Sequence, residues 1–222
     1  MTLLLVAHGT RDPAGAAVIG RLAARVRRRL PGVRVAVAYA DVRAPGVTTA
    51  LRALPGPVVV VPAFLAAGYH VRVDIPGQLE RSGRPALLTP PLGLVAVPAA
   101  YARLVESGWR RGEPVVLAAA GSSDPAALAS VEAAAERLGR LAGGPVRVGY
   151  AATAAPRIAD VVAGTRGRVA VASWLLAPGR FHRAAAQSGA AVVAAPLGSL
   201  VADVVVARYR AGMVESAINL VA

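Results

Sequence analysis

The sequence predicts an α/β protein built from two tandem doubly wound parallel-sheet domains, spanning 1–111 and 112–222 and related by a pseudo-two-fold axis. Three observations predict it. Short continuous apolar runs, such as residues 3–7 (Leu-Leu-Leu-Val-Ala), read as strands buried on both faces. These runs alternate with segments of helical apolar spacing, the order expected of β/α units around a parallel sheet. A set of landmarks then repeats once along the 222 residues.

The first run, 3–7, ends on His8, and Gly9 lets the backbone turn sharply. Asp12 followed by Pro13 reads as an N-cap and first-turn proline. From 13 to 30 apolar residues recur at Val18, Leu22 and Val26. Arg25, Arg27, Arg28 and Arg29 fall in the last turns of this helix, where cations suit the dipole. Pro31-Gly32 ends it. Residues 33–40 form a second strand leading to Asp41, and a short helix follows Pro45. A third strand covers 58–62. Residues 64–70 lead from it into a helix carrying Val71-Arg72-Val73-Asp74-Ile75. A short fourth strand covers 86–88, Pro90-Pro91-Leu92-Gly93 turns into a helix reaching about 106, and 108–114 reads as a linker where the halves meet.

The second half repeats this plan. His8-Gly9-Thr10-Arg11-Asp12-Pro13 lies against Ala120-Gly121-Ser122-Ser123-Asp124-Pro125, an offset of 112 residues. Tyr39-Ala40-Asp41 lies against Tyr150-Ala151-Ala152, Pro45 against Pro156, and Gly68-Tyr69-His70 against Gly179-Arg180-Phe181, all at an offset of 111. Pro91-Leu92-Gly93 lies against Pro196-Leu197-Gly198. Three polar strand-end residues of the first half, His8, Asp41 and His70, become Ala120, Ala152 and Phe181 in the second. A purely structural role would survive in both copies, since both must fold. The comparison favours one shared site in the first half. His182, next to Phe181, allows a one-residue shift that restores a histidine; it is assigned to the surface of the second half.

In open parallel sheets ligands bind at the carboxyl ends of strands. His8 there either closes its strand as a satisfied histidine or ligates a metal or moves a proton near neutral pH. Two histidines and a carboxylate at neighbouring strand ends suit a first-row divalent ion or general acid–base work. Asp74, four residues after His70, either faces and orients that imidazole or is a first-turn acid favoured by the helix dipole.

Composition narrows the function classes. Hydrophobic residues make up 55%, enough for a sizeable core, and the absence of cysteine removes disulfides and thiolate metal sites. All 25 basic residues are arginine and the net charge is +13, a field that attracts a polyanion. Nucleic acid is one candidate, but aromatic residues are sparse and no nucleic-acid motif is visible, and a small multiply carboxylated substrate fits as well; the expectation is no nucleic acid. No signal peptide is visible, and the uncharged stretches 85–102 and 184–202 are too broken by proline, glycine and polar residues for membrane helices. A cytoplasmic protein without membrane association is expected.

His8-Gly9-Thr10-Arg11-Asp12-Pro13, together with Gly68-Tyr69-His70-Val71-Arg72-Val73-Asp74-Ile75-Pro76 at this separation, resembles the CbiX/SirB family of sirohydrochlorin chelatases, within the class II chelatases. The likeness covers the whole chain as a long, two-domain form. It implies a chelatase-like, flavodoxin-like topology and ATP-independent insertion of Co2+ or Fe2+ into sirohydrochlorin, for cobalamin or siroheme. The metal would be a substrate, with no permanent cofactor, and the protein a monomer or homodimer. It implies that His8 and His70 bind the metal and accept pyrrole protons. Asp41 matches a position where the family usually has glutamate, so the catalytic carboxylate here is one methylene shorter. Arg11, Arg43 and Arg72 are near enough to grip substrate carboxylates bidentately, and Thr10 and the N–H groups at the start of the first helix to hydrogen-bond them. The cleft between the lobes is the expected tetrapyrrole site.

Two rivals remain at this level. A strand ending in His-Gly is also similar to the histidine phosphatases, which carry arginine before the histidine where this chain has Ala7. A tetrapyrrole- or metal-carrying protein without turnover is the non-enzymatic alternative.

Overall fold

The structure, a computed structural model, describes residues 1–218. Its strands form where the apolar runs are. β1 (Thr2–Ala7), β2 (Arg34–Tyr39), β3 (Val58–Pro62) and β4 (Ala86–Leu88) make one wholly parallel sheet in the order β2-β1-β3-β4. β5 (Val115–Ala119), β6 (Val146–Tyr150), β7 (Ala170–Ser173) and β8 (Val192–Val193) repeat that order as β6-β5-β7-β8. This is the alternating α/β plan the sequence predicts, twice over.

Between the strands lie α1 (Pro13–Arg29), α2 (Val47–Ala53), a π-helical turn (His70–Asp74) running into α3 (Ile75–Ser82), and α4 (Val97–Glu106). In the second half they are α5 (Pro125–Ala142), α6 (Ile158–Ala163), α7 (Arg180–Ala186) and α8 (Ala202–Ile218). α1 and α5 start alike: Asp12 and Asp124 accept from the N–H groups of Ala14 and Ala126, each with a proline at the first turn.

The chain folds as two compact units, Met1–Leu92 with Ser199 onward, and Gly93–Gly198. These do not coincide with the sequence halves 1–111 and 112–222, nor does the break fall at 108–114. The fourth helix of each half belongs with the other half's sheet. Helical periodicity shows that such a helix has an apolar face; it does not show which sheet that face covers.

In the first unit, Leu4 and Val6 of β1 and Val58 and Val60 of β3 share a core with Val47, Ala50 and Leu51 of α2 and with Ile75 of α3. Burying each of the larger of these side chains contributes about 1.5–3 kcal/mol. α1 and α8 pack against one another, and α8 lies on β3 and β4. A Cβ built on Gly212 would come 3.0 Å from side-chain carbons of Val59 and Thr89, so α8 approaches that sheet closely. Arg29 and Asp203 join α1 to α8 by a two-pronged ion pair, and the Tyr209 hydroxyl donates to the Met1 carbonyl at 3.3 Å.

In the second unit, α4 packs on α5 and β7, and α6 and α7 cover the opposite core of Val116, Ala118, Val161, Val169, Val171 and Ala185. Trp109 is buried and donates its indole N–H to the Glu113 carbonyl at 3.0 Å. The Glu113 side chain accepts from the Arg110 N–H and from Arg168, and these hydrogen bonds hold its carboxyl below the usual glutamate range. In the same unit Tyr150 is pushed up to about 12 by burial and then by Glu132, whose carboxylate accepts its hydroxyl at 3.2 Å. Among the described residues no helix is long and apolar enough to cross a membrane.

Candidate functional site

The register of the first sheet pairs Ala7 with Tyr39 and Val6 with Pro62, so the carboxyl ends of β1, β2 and β3 finish level. His8 leaves the end of β1, Asp41 follows β2, and His70 opens the π-turn after β3. The two imidazoles meet edge to face, ring centroids 4.5 Å apart and planes at 76°. Phe64, which packs on the core below, stands 6.3 Å from the His8 ring and 6.2 Å from the His70 ring. It forms an apolar floor for the pair.

Both imidazoles have their Nδ1 engaged. His8 Nδ1 is 3.1 Å from the Gly9 carbonyl and His70 Nδ1 is 2.9 Å from Asp74 Oδ2. A carbonyl and a carboxylate only accept, so each Nδ1 carries the proton and each Nε2 is left basic. Of the two readings of Asp74, the geometry supports the one in which it faces and orients His70. The π-turn carries this pair, with the Ile75 N–H bonded to the His70 carbonyl. Inserted turns of this kind recur at functional sites.

Asp74 is itself held. Gln78, one turn further along α3, donates from Nε2 to Asp74 Oδ1 at 3.1 Å and to the Ala40 carbonyl at 2.8 Å. Its Oε1 accepts the Val47 N–H at 3.2 Å. The sequence reading missed Gln78 and Phe64. The signal for Gln78 was present: it extends the four-residue spacing of His70 and Asp74 by one more turn on the same helix face.

Asp41 lies beside the pair through its backbone, its N–H donating to the His8 carbonyl at 2.9 Å. Its carboxylate turns back to accept the Val42 N–H at 2.6 Å. Val42 has φ 66° at the centre of a γ-turn closed by the Arg43 N–H on the Asp41 carbonyl at 2.7 Å. No group of three or more His, Asp or Glu side chains among the described residues is arranged to hold a metal ion. Among the described residues the two histidines thus stand as a pair of nitrogen donors, the nearby Asp74 carboxylate being hydrogen-bonded to His70 Nδ1.

The substrate-binding candidates divide. Arg43 is exposed, donates to the Thr10 carbonyl at 3.1 Å and lies 6.0 Å over the Tyr39 ring. Arg11 is exposed in the loop after His8, and Arg72 is exposed on the π-turn. Thr10 and the helix start are committed locally. Thr10 Oγ1 accepts the Asp12 N–H at 3.1 Å, and Asp12 accepts the Ala14 N–H at 2.9 Å. The Asp12 and Ala14 N–H groups are thus engaged within the turn and the cap. Tyr69, Val73 and Val42 expose apolar surface on the π-turn and the turn after Asp41.

In the second unit the same γ-turn recurs at Thr153 (φ 60°), with the Ala154 N–H on the Ala152 carbonyl, and the histidines do not. Phe181 is exposed. His182, expected at the surface, is half-buried, its Nε2 3.4 Å from the Ala194 carbonyl. It does not restore the pair.

Comparisons with known proteins identify the family and the fold. The sequence model of the CbiX family matches residues 2–100 and 114–209. A sirohydrochlorin cobaltochelatase from Methanococcoides burtonii is 31% identical over 82 residues, 35% of this chain and 63% of that relative, so the match spans less than two thirds of its length. The solved structure of CbiX, described as the terminal enzyme for biosynthesis of siroheme in denitrifying bacteria, is 28% identical with a TM-score of 0.73, covering 93% of this chain and 99% of that one. SirB from Bacillus subtilis, solved with Fe3+, has a TM-score of 0.80 at 20% identity over 96% of each chain, a likeness of fold.

Proposed function

The chain belongs to the CbiX family, and from that premise we propose that it inserts a divalent metal, Co2+ or Fe2+, into sirohydrochlorin without ATP. The observation that carries the reading is the His8–His70 pair with both Nε2 atoms basic. Metal entry displaces two pyrrole N–H protons, so the site must offer proton acceptors as well as donors to the metal. A neutral imidazole with a free Nε2 lone pair does either. Two neutral nitrogens bind a first-row ion without enclosing it, which suits delivery better than a closed tetrahedral cage.

In this reading His8 and His70 present the ion and take the protons, and Asp74 fixes the His70 ring while they do so. Asp41, exposed and one backbone hydrogen bond from His8, passes protons to solvent. Arg11, Arg43 and Arg72 attract the substrate's carboxylates, and the exposed Tyr69 and Val73 offer the macrocycle an apolar surface. Both the metal and the tetrapyrrole are substrates; cobalamin and siroheme synthesis are the two routes such a product serves.

The test is the absorbance change of sirohydrochlorin on adding Co2+ or Fe2+, with and without the protein. A rate above the uncatalysed one supports the reading. Sirohydrochlorin binding with no acceleration by either metal assigns a carrier instead.

A further inference from the structure

We propose that Gln78 is a positioning residue of metal insertion: it fixes the Asp74 carboxylate, and through it the Nδ1–H tautomer of His70, in one frame with the loop that carries Asp41. This rests on His8 and His70 being the groups that handle the metal and the pyrrole protons.

All the polar groups of the Gln78 amide are used. Its two N–H donors go to Asp74 Oδ1 and to the Ala40 carbonyl, and its oxygen accepts from the Val47 N–H. Two of these partners only accept and the third only donates, so a single orientation of the amide satisfies them. The main-chain carbonyl of Gln78 also accepts the Thr48 hydroxyl at 2.8 Å. Asp74 is thereby held through both oxygens, Oδ2 by His70 and Oδ1 by Gln78, which stops the carboxylate from rotating. Ala40 immediately precedes Asp41, and Val47 opens α2. The one side chain thus clasps both ends of the 41–46 loop and ties them to the His70 dyad.

The second unit separates this role from a role in folding. At the offset of 111, His70, Asp74 and Gln78 fall on Phe181, Ala185 and Gly189. α7 ends at Ala186, short of Gly189, and begins without a π-turn. Yet that unit builds the same sheet order, the same γ-turn and the same N-cap. The fold closes without the glutamine; the glutamine accompanies the histidines. Groups behind a metal-handling imidazole commonly set its tautomer and direction.

Two variants of the full chain test this. Gln78→Met removes every amide bond at similar volume. Gln78→Glu keeps the shape and the acceptor, loses both donors and sets a second carboxylate against Asp74. In metal-free protein above the imidazole titration range, nitrogen-detected NMR should show one Nδ1–H tautomer for His70 in the wild type and a mixture in both variants. With Co2+ and sirohydrochlorin, kcat should fall about 10–100-fold while KM for sirohydrochlorin stays within about twofold. Thermal melting establishes that each variant is folded. A folded Gln78→Met or Gln78→Glu protein with a single His70 tautomer and unchanged kcat overturns the proposal. If the wild type inserts neither metal, the reaction reading fails, and the NMR result alone then decides: a loosened tautomer supports the positioning and a fixed one overturns it.

Discussion

The α-carbon of Gly9 lies against the carbonyl oxygen of Asp41 with no room between them for a Cβ. Gly9 also has φ 102°, a conformation L side chains rarely adopt. The strand end that carries His8 and the turn that carries Asp41 are therefore in backbone contact. Gly121 repeats the relationship with the Ala152 carbonyl, at φ 93°. Gly9→Ala and Gly121→Ala should each lower stability by about 2–4 kcal/mol, from combined strain and backbone displacement, measured by urea denaturation. Unchanged midpoints would show that the turns yield more easily than the packing implies.

His8→Ala and His70→Ala should each reduce the initial rate of Co2+ insertion about 10²–10⁴-fold, the range of a lost proton acceptor. Sirohydrochlorin affinity should change far less, because no substrate-carboxylate contact is removed. His182→Ala should leave turnover intact, since its ring hydrogen-bonds the Ala194 carbonyl in the unit without the pair. Turnover lost in His182→Ala and kept in His8→Ala would move the site to the other half.

Sirohydrochlorin binding should weaken as ionic strength rises, because the net charge is +13 and exposed charges are screened within about 10 Å at 0.1 M salt. Arg43→Ala should weaken binding further and reduce the salt response. It removes one exposed guanidinium beside Asp41 and its bond to the Thr10 carbonyl. A titration at several salt concentrations reads both effects, and a flat response excludes electrostatic attraction.

Tyr150 predicts an alkaline limit. Its folded pKa, about 12, lies above the ordinary 10.0, so folding favours the neutral phenol. The stabilisation is whole below pH 10 and is lost as pH rises from 10 to 12, by up to ~3 kcal/mol. Burial raises Tyr209 in the same direction. Tyr150→Phe should therefore flatten the fall in melting temperature across this range without removing it.

Much of the architecture was legible because its landmarks are residues of narrow use. Gly9 and Gly121 sit where only glycine fits, and Asp12-Pro13 and Asp124-Pro125 are helix starts with a chemical reason. Their spacing exposed the duplication, and the missing histidines singled out one half. Long-range choices were not legible. Nothing in the pattern of α4 or α8 says which sheet each will cover. The π-turn at His70 was not legible because Val71, Val73 and Ile75 read equally well as one ordinary helix. Gln78 escaped because a glutamine on a half-buried helix is usually a solvated residue, and its spacing from His70 and Asp74 gains meaning only through its partners, Ala40 and Val47.

The membership of α8 has a consequence for synthesis. Of the two sheets, the one bearing His8 and His70 leaves the ribosome before the other and is finished after it. Its covering helix follows the whole of Gly93–Gly198, a unit continuous in sequence and able to close beforehand. At ~5–20 residues per second, the face of β3 and β4 on which Gly212 will rest stays bare for roughly 5–20 s. Through that interval Val59 and Leu87 are open to chaperones and to neighbouring nascent chains, so the unit that carries the His8–His70 pair is also the one exposed longest to misassembly.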